Sequence, residues 1–485
     1  MTGSEPITSV DQMLRVYPAF LFGTPMGIIG LGISALLMVV TLIGERIKWV
    51  WVAVVLYVTG LGVVLADIGG GNMAVVNNLL PPFDQLRNVN RPLAIFLLFM
   101  LSVRALFAEP GVRSNGVGRT LRAYFAFEVF TCLVLFTGGN WSRGFFGLFV
   151  FCLIFISFGV GISRWLIGPE QAYSALRAIC GSTALLTIGV IFHLLIRPSS
   201  MYVAGRLTGT TGNPQFLGAF FAFGLPTCYG LLLKRDEPTS WRVTAGCVLG
   251  LSVGFVLMSG SRAAVIVCAV GVLVFFRRRL GQLLVTSLVA VVVLLTGMQL
   301  LGVDNSVSAH IFTTGNSRAD VWGRLLQEFL AHPIFGAGVE QAGGESSYFS
   351  VPAVYGLVGC IPFVAAIWLM LRDSVRVIRK RSQLSQHAVL ADVAVATLAE
   401  ILVSAVFDNH LLATLAPAVF IIYIILSIYA LLLDPVVFTV APDGFSDLHQ
   451  LVGPDPFSEV FPVEGYVPGH DTGPFVDPVR NGARF

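Results

Sequence analysis

The stretch Met258–Leu280, MSGSRAAVIVCAVGVLVFFRRRL, decides the fold. Between Arg262 and Arg277 every residue is uncharged and nearly all are apolar, so a helix here has no polar face to turn toward water. Its two ends differ. Ser259-Gly260-Ser261 is a helix start with a capping hydroxyl, and Arg277 to Arg279 form a basic stop. An apolar helix with a basic end reads as a membrane crossing whose arginine end stays on the cytoplasmic side.

The rest of the chain repeats this pattern. Of its 485 residues 55% are hydrophobic and 12% charged, and the mean hydropathy is +0.82, beyond what a water-soluble surface tolerates. No alternating period of a membrane barrel replaces the long apolar runs, so the fold class is an all-α polytopic membrane bundle. About thirteen spans are expected, near 18–44, 49–67, 92–108, 120–138, 144–163, 172–196, 216–233, 242–258, 262–276, 282–301, 350–371, 389–407 and 411–434. The segment 1–17 precedes this domain of 18–434. Residues 435–485, rich in Pro, Gly and Asp, read as a disordered cytoplasmic tail. The seven cysteines fall inside apolar spans without close pairing, so neither a disulfide framework nor a metal knuckle is expected.

Three basic segments join adjacent spans: Lys234 to Arg242, Arg277 to Arg279, and Arg372 to Arg381. Each pair is separated by an even number of crossings, so all three fit one compartment, and Arg113, Arg119 and Arg122 join them. Carried back to the amino terminus, this parity puts Met1 outside, which points to a miscounted span at residues 67–91. The polar segments 197–215, 258–262, 302–349 and 407–411 then face outward. Within the long loop, SRADVWGRLLQEFLAHP places Val321, Trp322, Leu325, Leu326, Phe329 and Leu330 at helical spacing. The reading is an amphipathic helix over the bundle mouth, with Ser317 as N-cap, Asp320 in a weak capping box and Pro333 beyond its end.

Three helices start on the outer side with recognisable caps, at Asn213-Pro214, at Ser259-Gly260-Ser261 and at Ser346-Ser347. Helix starts carry the positive end of the dipole, and converging starts make an anion site. Arg206, Arg262 and Arg318 stand beside them, and guanidinium forks suit a diphosphate. The plainer readings are that Arg206 and Arg318 snorkel to lipid phosphates and that Arg262 is structural.

RLTGTTGNPQFLGAFFAF from Arg206, the stretch from Met258, then SRADVW, HPIFGAGV and ESSYFSVPAVYGLVG from Glu345 together resemble the O-antigen ligase and O-antigen polymerase superfamily. The resemblance covers roughly 200–410. It implies an inverting, metal-free glycosyltransferase of the lipid-sugar-dependent helical type, with its site on the outer face of the cytoplasmic membrane and Arg206 and Arg318 on the diphosphate. The implied donor is a polyprenyl-diphosphate-linked glycan and the acceptor a glycan or lipid. Membrane lipids are further partners, as are chain-length or export proteins; no nucleic acid and no cofactor is implied.

One position departs from the resemblance. Where ligase-type relatives carry a histidine, this chain has Glu345, and a carboxylate there serves as the base that takes the acceptor's proton. Its alternative is an ion-pair or helix-start role, with His332 or Asp408 next in line as base. The departure favours a polymerase over a ligase. Trp322 and Tyr348 are candidates for stacking on sugar, Ser346 and Asn213 for donor contacts, and His410 for the acceptor. A flippase for a lipid-linked oligosaccharide is the rival reading, kept open by Glu128 and Glu400 in or near apolar spans.

Overall fold

The structure is a computed structural model that describes residues 46–61, 79–107, 118–279, 318–338 and 346–434, save 82 and 204, with a few positions before 46 and between 280 and 290. Contacts divide the chain into Met1–Val437 and Phe438–Phe485. The expected tail and first span, the span at 282–301 and Glu345 lie wholly or mostly outside the described residues.

In chain order the helices are α1 Ile47–Gly60, α2 Phe83–Asn88, α3 Asn90–Phe107, α4 Arg119–Thr137 and α5 Trp141–Trp165. They continue as α6 Pro169–Ile196, α7 Pro214–Leu233, α8 Thr239–Met258, α9 Arg262–Phe275, α10 Ala319–Ala331, α11 Ser347–Lys380, α12 Ala388–Phe407 and α13 Pro417–Leu433. Among the described residues the only sheet is a hairpin of β1 Tyr202–Val203 and β2 Arg206–Leu207. Among the described residues, seven helices are long and apolar enough to cross a membrane: α3, α5, α6, α7, α8, α11 and α12. Apolar α1, α9 and α13 are shorter, and α4 carries Arg119, Arg122 and Glu128. The all-α polytopic membrane bundle expected from the sequence is therefore the observed fold.

Burial orders the bundle. α7 and α12 are each buried over 78% of their most apolar stretch, whereas α8 is buried over only 28% of its own. α7 packs against α6, α8, α9 and α12, and α9 packs along α12. Small residues permit this closeness, because in lipid helix association depends on backbones approaching rather than on expelling water. A methyl added at Gly271 on α9 would overlap the Glu400 side chain of α12. Glu128 is likewise buried, and its carboxylate accepts from the hydroxyl of Tyr423 on α13.

The expected span at 350–371 is part of a longer, broken element. α11 is interrupted at Gly356, whose φ of 61° and ψ of −163° no side-chain-bearing residue adopts readily. The part before the break folds back, so that Tyr348 and Phe363 bring their ring centroids within 5.7 Å. Residues 333–338 satisfy the backbone groups freed there: Leu357 N–H donates to Pro333 O (2.8 Å), Val358 N–H to Ile334 O (3.2 Å) and Ala337 N–H to Ala353 O (2.8 Å). Gly336 faces Gly356 across this junction. A Cβ on Gly336 would lie 2.3 Å from the carbonyl of Val354, and one on Gly356 would lie 2.3 Å from that of Ile334.

The two ends of the bundle differ in chemistry. Near the start of α12, Asp392 pairs with Arg277 at 2.7 Å and with Arg381 at 2.6 Å, joining two of the basic segments at one end. Asp408, just past the end of the same helix, lies roughly 24 Å away at 1.5 Å per residue. That opposite end holds the candidate site.

Candidate functional site

The segment from Met201 to Asn213 forms one wall. β1 and β2 pair antiparallel, Tyr202 opposite Leu207 and Val203 opposite Arg206. Met201 and Leu207 are fully buried and anchor the hairpin, and Thr208 N–H closes it on Met201 O at 2.8 Å. Arg206 therefore leaves a fixed strand. Its Nε–H donates to the carbonyl of Ser259 at 3.0 Å, at the turn between α8 and α9. Burial first, and then the charges of Arg262 and Arg318, pull the Arg206 pKa below its ordinary value. The guanidiniums of Arg262 and Arg318 thus both lie within electrostatic reach of that of Arg206.

Two helix starts meet beside them. Asn213 Oδ1 accepts from Gln215 N–H at 2.8 Å and caps α7, and Ser261 Oγ accepts from Ala264 N–H at 3.3 Å and caps α9. Gly218, one turn into α7, is what lets them converge: a Cβ there would sit 2.5 Å from Ala264 Cβ and 2.9 Å from Ser259 Oγ.

The third start is that of α11. Ser347 N–H and Oγ both donate to Asp408 O, at 3.2 and 3.1 Å, and Leu411 N–H donates back to Ser347 Oγ at 3.1 Å. Ser346 Oγ donates to Ala405 O at 3.5 Å rather than capping its own helix. These bonds bury the α11 start against the end of α12, with Ser346 and Ser347 both inaccessible.

Arg318 links the first of these starts with the third. It stands at the N-cap position of α10, where the sequence suggested Ser317, which lies outside the described residues. Its Nη2 donates to Gln215 Oε1 at 2.7 Å and lies 4.0 Å from Asp408 Oδ1. The other oxygen of Asp408 is 3.4 Å from His410 Nε2. The imidazole meets Phe216 and Phe223 edge-on, at 5.3 and 5.9 Å between centroids. Among the described residues, Arg206, Arg262 and Arg318 thus gather by the capped starts of α7 and α9, with the Asp408 carboxylate beside Arg318, an electrostatic basin whose excess positive charge favours a bound anion.

The candidates divide accordingly. Arg206, Arg262, Arg318, Asn213 and His410 come together, whereas the Ser346 hydroxyl, expected at the donor, is buried against Ala405 O and not open to a ligand. Two aromatic candidates are engaged with the protein itself: Trp322 stacks on Phe349 at 5.2 Å, and Tyr348 OH donates to Leu402 O at 3.1 Å. Both hold α10 and the first part of α11 in place. Glu345 is outside the described residues. Nothing in the sequence marks Gln215 or the Gly336–Gly356 pair by residue type. The only signal for Gln215 was its place right after the Asn-Pro start.

Residues 247–358 match the family model described as O-Antigen ligase. The matched segment runs from α8 through the break in α11 and contains Arg262, Arg318, Gly336, Glu345 and Gly356. No curated protein matches the chain. Fold and match together describe a multi-pass helical membrane protein. The match supports an O-antigen ligase-like superfamily and, with it, glycan transfer of the ligase or polymerase type between lipid-linked donors and acceptors.

Proposed function

We propose that the chain is an inverting glycosyltransferase that uses a polyprenyl-diphosphate-linked glycan as donor, on the outer face of the cytoplasmic membrane. The observation that carries this reading is the meeting of Arg206, Arg262 and Arg318 at the starts of α7, α9 and α11. Arginines bound to main chain and to Gln215 keep a fixed geometry, and fixed cations stabilise a diphosphate as its charge develops during departure. In the reaction the bond from the anomeric carbon to the diphosphate oxygen breaks. The acceptor oxygen forms a new bond to the opposite face of that carbon, and its proton passes to Glu345. The arginines supply the positive charge, so no metal is required. Asp408 positions Arg318 through its charge. With a carboxylate as base, the favoured reaction is polymerisation of a surface or extracellular polysaccharide.

Purified protein in lipid vesicles, given a synthetic polyprenyl-diphosphate glycan with and without chelator, tests this. The expected result is free polyprenyl diphosphate together with glycan joined to an acceptor at the inverted anomeric configuration, in equal amount with EDTA. Glycan carried across the vesicle membrane without a new glycosidic bond would establish the flippase reading instead.

A further inference from the structure

α10 has three faces rather than two. With about 100° between successive residues, Val321, Leu325, Phe329 and Trp322 share the face that packs on α11, Leu325 being fully buried. Asp320, Arg324 and Gln327 share an exposed polar face. Between them lies a third strip containing Leu326 and Leu330, which are 49% and 66% exposed. A helix covered only by water has no use for such a strip, and one sealed against the bundle would bury it.

The strip does not end with the helix. Directly beyond it Ile334 and Phe335 are 56% and 75% exposed. Their loop is bonded through Pro333 O and Ile334 O to the backbone of Leu357 and Val358, where the long arm of α11 begins. That arm presents Ile361, Val364 and Trp368 outward, at 72%, 61% and 67% exposure, and it belongs to a helix long and apolar enough to cross the membrane. The apolar strip of α10 is therefore continuous, through backbone hydrogen bonds, with a lipid-facing surface.

We propose that α10 lies in the membrane–water interface, with Leu326, Leu330, Ile334 and Phe335 immersed among the lipid acyl chains of the leaflet on the side of the site. Around the helix the order is protein, lipid, water, which is the arrangement of a helix lying flat beside the bundle at the headgroup boundary. The immersion has a consequence for the site. Arg318 begins this helix and Phe335 follows its end, so the lipid layer fixes the height at which Arg318 is presented. The helix is a membrane-seated bracket rather than a lid over an aqueous mouth.

Photocrosslinking in the full-length protein tests this without reference to enzymatic activity. p-Benzoylphenylalanine is placed singly at Leu330, Phe335, Arg324 or Gln327, with Ile361 as a spanning-helix reference, and the protein is irradiated in phosphatidylethanolamine–phosphatidylglycerol vesicles. All these positions are exposed, so the probe displaces no packed neighbour. Phospholipid adducts, read by intact mass, are expected at Leu330 and Phe335 at a yield comparable with Ile361, and at least tenfold less at Arg324 and Gln327. Adducts at Ile361 with none above the Arg324 level at Leu330 and Phe335 would overturn the proposal. Equal adducts at all four α10 and loop positions would overturn the three-faced arrangement, since the whole helix would then be in lipid.

Discussion

Arg318 Nη2 donates to Gln215 Oε1 at 2.7 Å, across 103 residues of chain. The bond ties the start of an interfacial helix to the start of a central one, and it holds a guanidinium within electrostatic reach of Arg206. Such a bond to a charged group contributes about 1.5–3 kcal/mol, part of which is the cost of leaving the charge unheld.

Gln215→Ala removes the oxygen that holds Arg318 while leaving the Asn213 cap on its backbone N–H. The expected outcome is a donor KM raised roughly five- to tenfold, about 1–1.4 kcal/mol, with kcat reduced less. Gln215→Glu keeps an acceptor but introduces a negative charge into the anion basin, and it is expected to impair donor binding more than Ala. Steady-state kinetics with varied donor separates the two effects.

The junction of Gly336 and Gly356 predicts a stability effect with no direct contact to substrate. Gly356→Ala combines a disfavoured backbone conformation with overlap onto Ile334 O, and Gly336→Ala overlaps the Val354 carbonyl. Each should lower stability by at least about 1–3 kcal/mol. Gly323→Ala, in the middle of α10 with nothing near its new methyl, should be neutral or stabilise by up to about 1 kcal/mol. Thermal unfolding of detergent-purified variants makes the comparison.

Arg206 is a cation whose pKa is depressed by burial and by two neighbouring arginines. Arginine remains charged through that depression because it starts so high. Arg206→Lys places a weaker acid-base reserve in the same field. A group with a depressed basic pKa loses its proton as pH rises, so this variant should lose donor affinity on the alkaline side, below the ordinary lysine value of about 10.4. The wild type should show no such limb in a pH profile of kcat/KM up to pH 10. Coincident profiles would mean that Arg206 does not act through charge.

Much of the architecture was legible from sequence because it follows from local rules. The spans at 90–107 and 214–233, the Asn213 and Ser261 caps and the helix at 319–331 all arise from residues close in the chain. The break in α11 was not legible. Val351 to Gly359 is an uninterrupted apolar run, and glycine and proline are ordinary in membrane helices, so nothing local marks Gly356 as a hinge rather than a packing position. The partner that makes the break tolerable is the backbone of 333–338, about twenty residues earlier in the chain. The site was half legible for the same reason: the arginines announce themselves by charge in an apolar chain, while Gln215 acquires its role only from where Arg318 arrives. Trp322 and Tyr348, aromatic and interfacial, carry no sequence mark that separates a sugar platform from a packing contact.

Glu345→Gln separates proton transfer from donor binding. It keeps size and hydrogen bonding but cannot accept a proton, so kcat should fall by about 10²–10⁴-fold with donor binding largely kept. Glu345→His should restore part of the activity, with a pH limb near the histidine value of about 6.5. Wild-type turnover in Glu345→Gln would mean that another group is the base.

The central claim, that Arg206, Arg262 and Arg318 together hold a diphosphate, is tested most directly by binding of polyprenyl diphosphate itself to the purified protein in nanodiscs, measured calorimetrically for the wild type and for Arg206→Ala and Arg318→Ala. Loss of a charge-assisted contact of about 1.5–3 kcal/mol should weaken binding by roughly 10- to 150-fold in each variant. The double variant should bind no better than the weaker single one. Undiminished binding in both single variants, with the proteins folded, would contradict the account and leave these arginines as anchors to lipid phosphate.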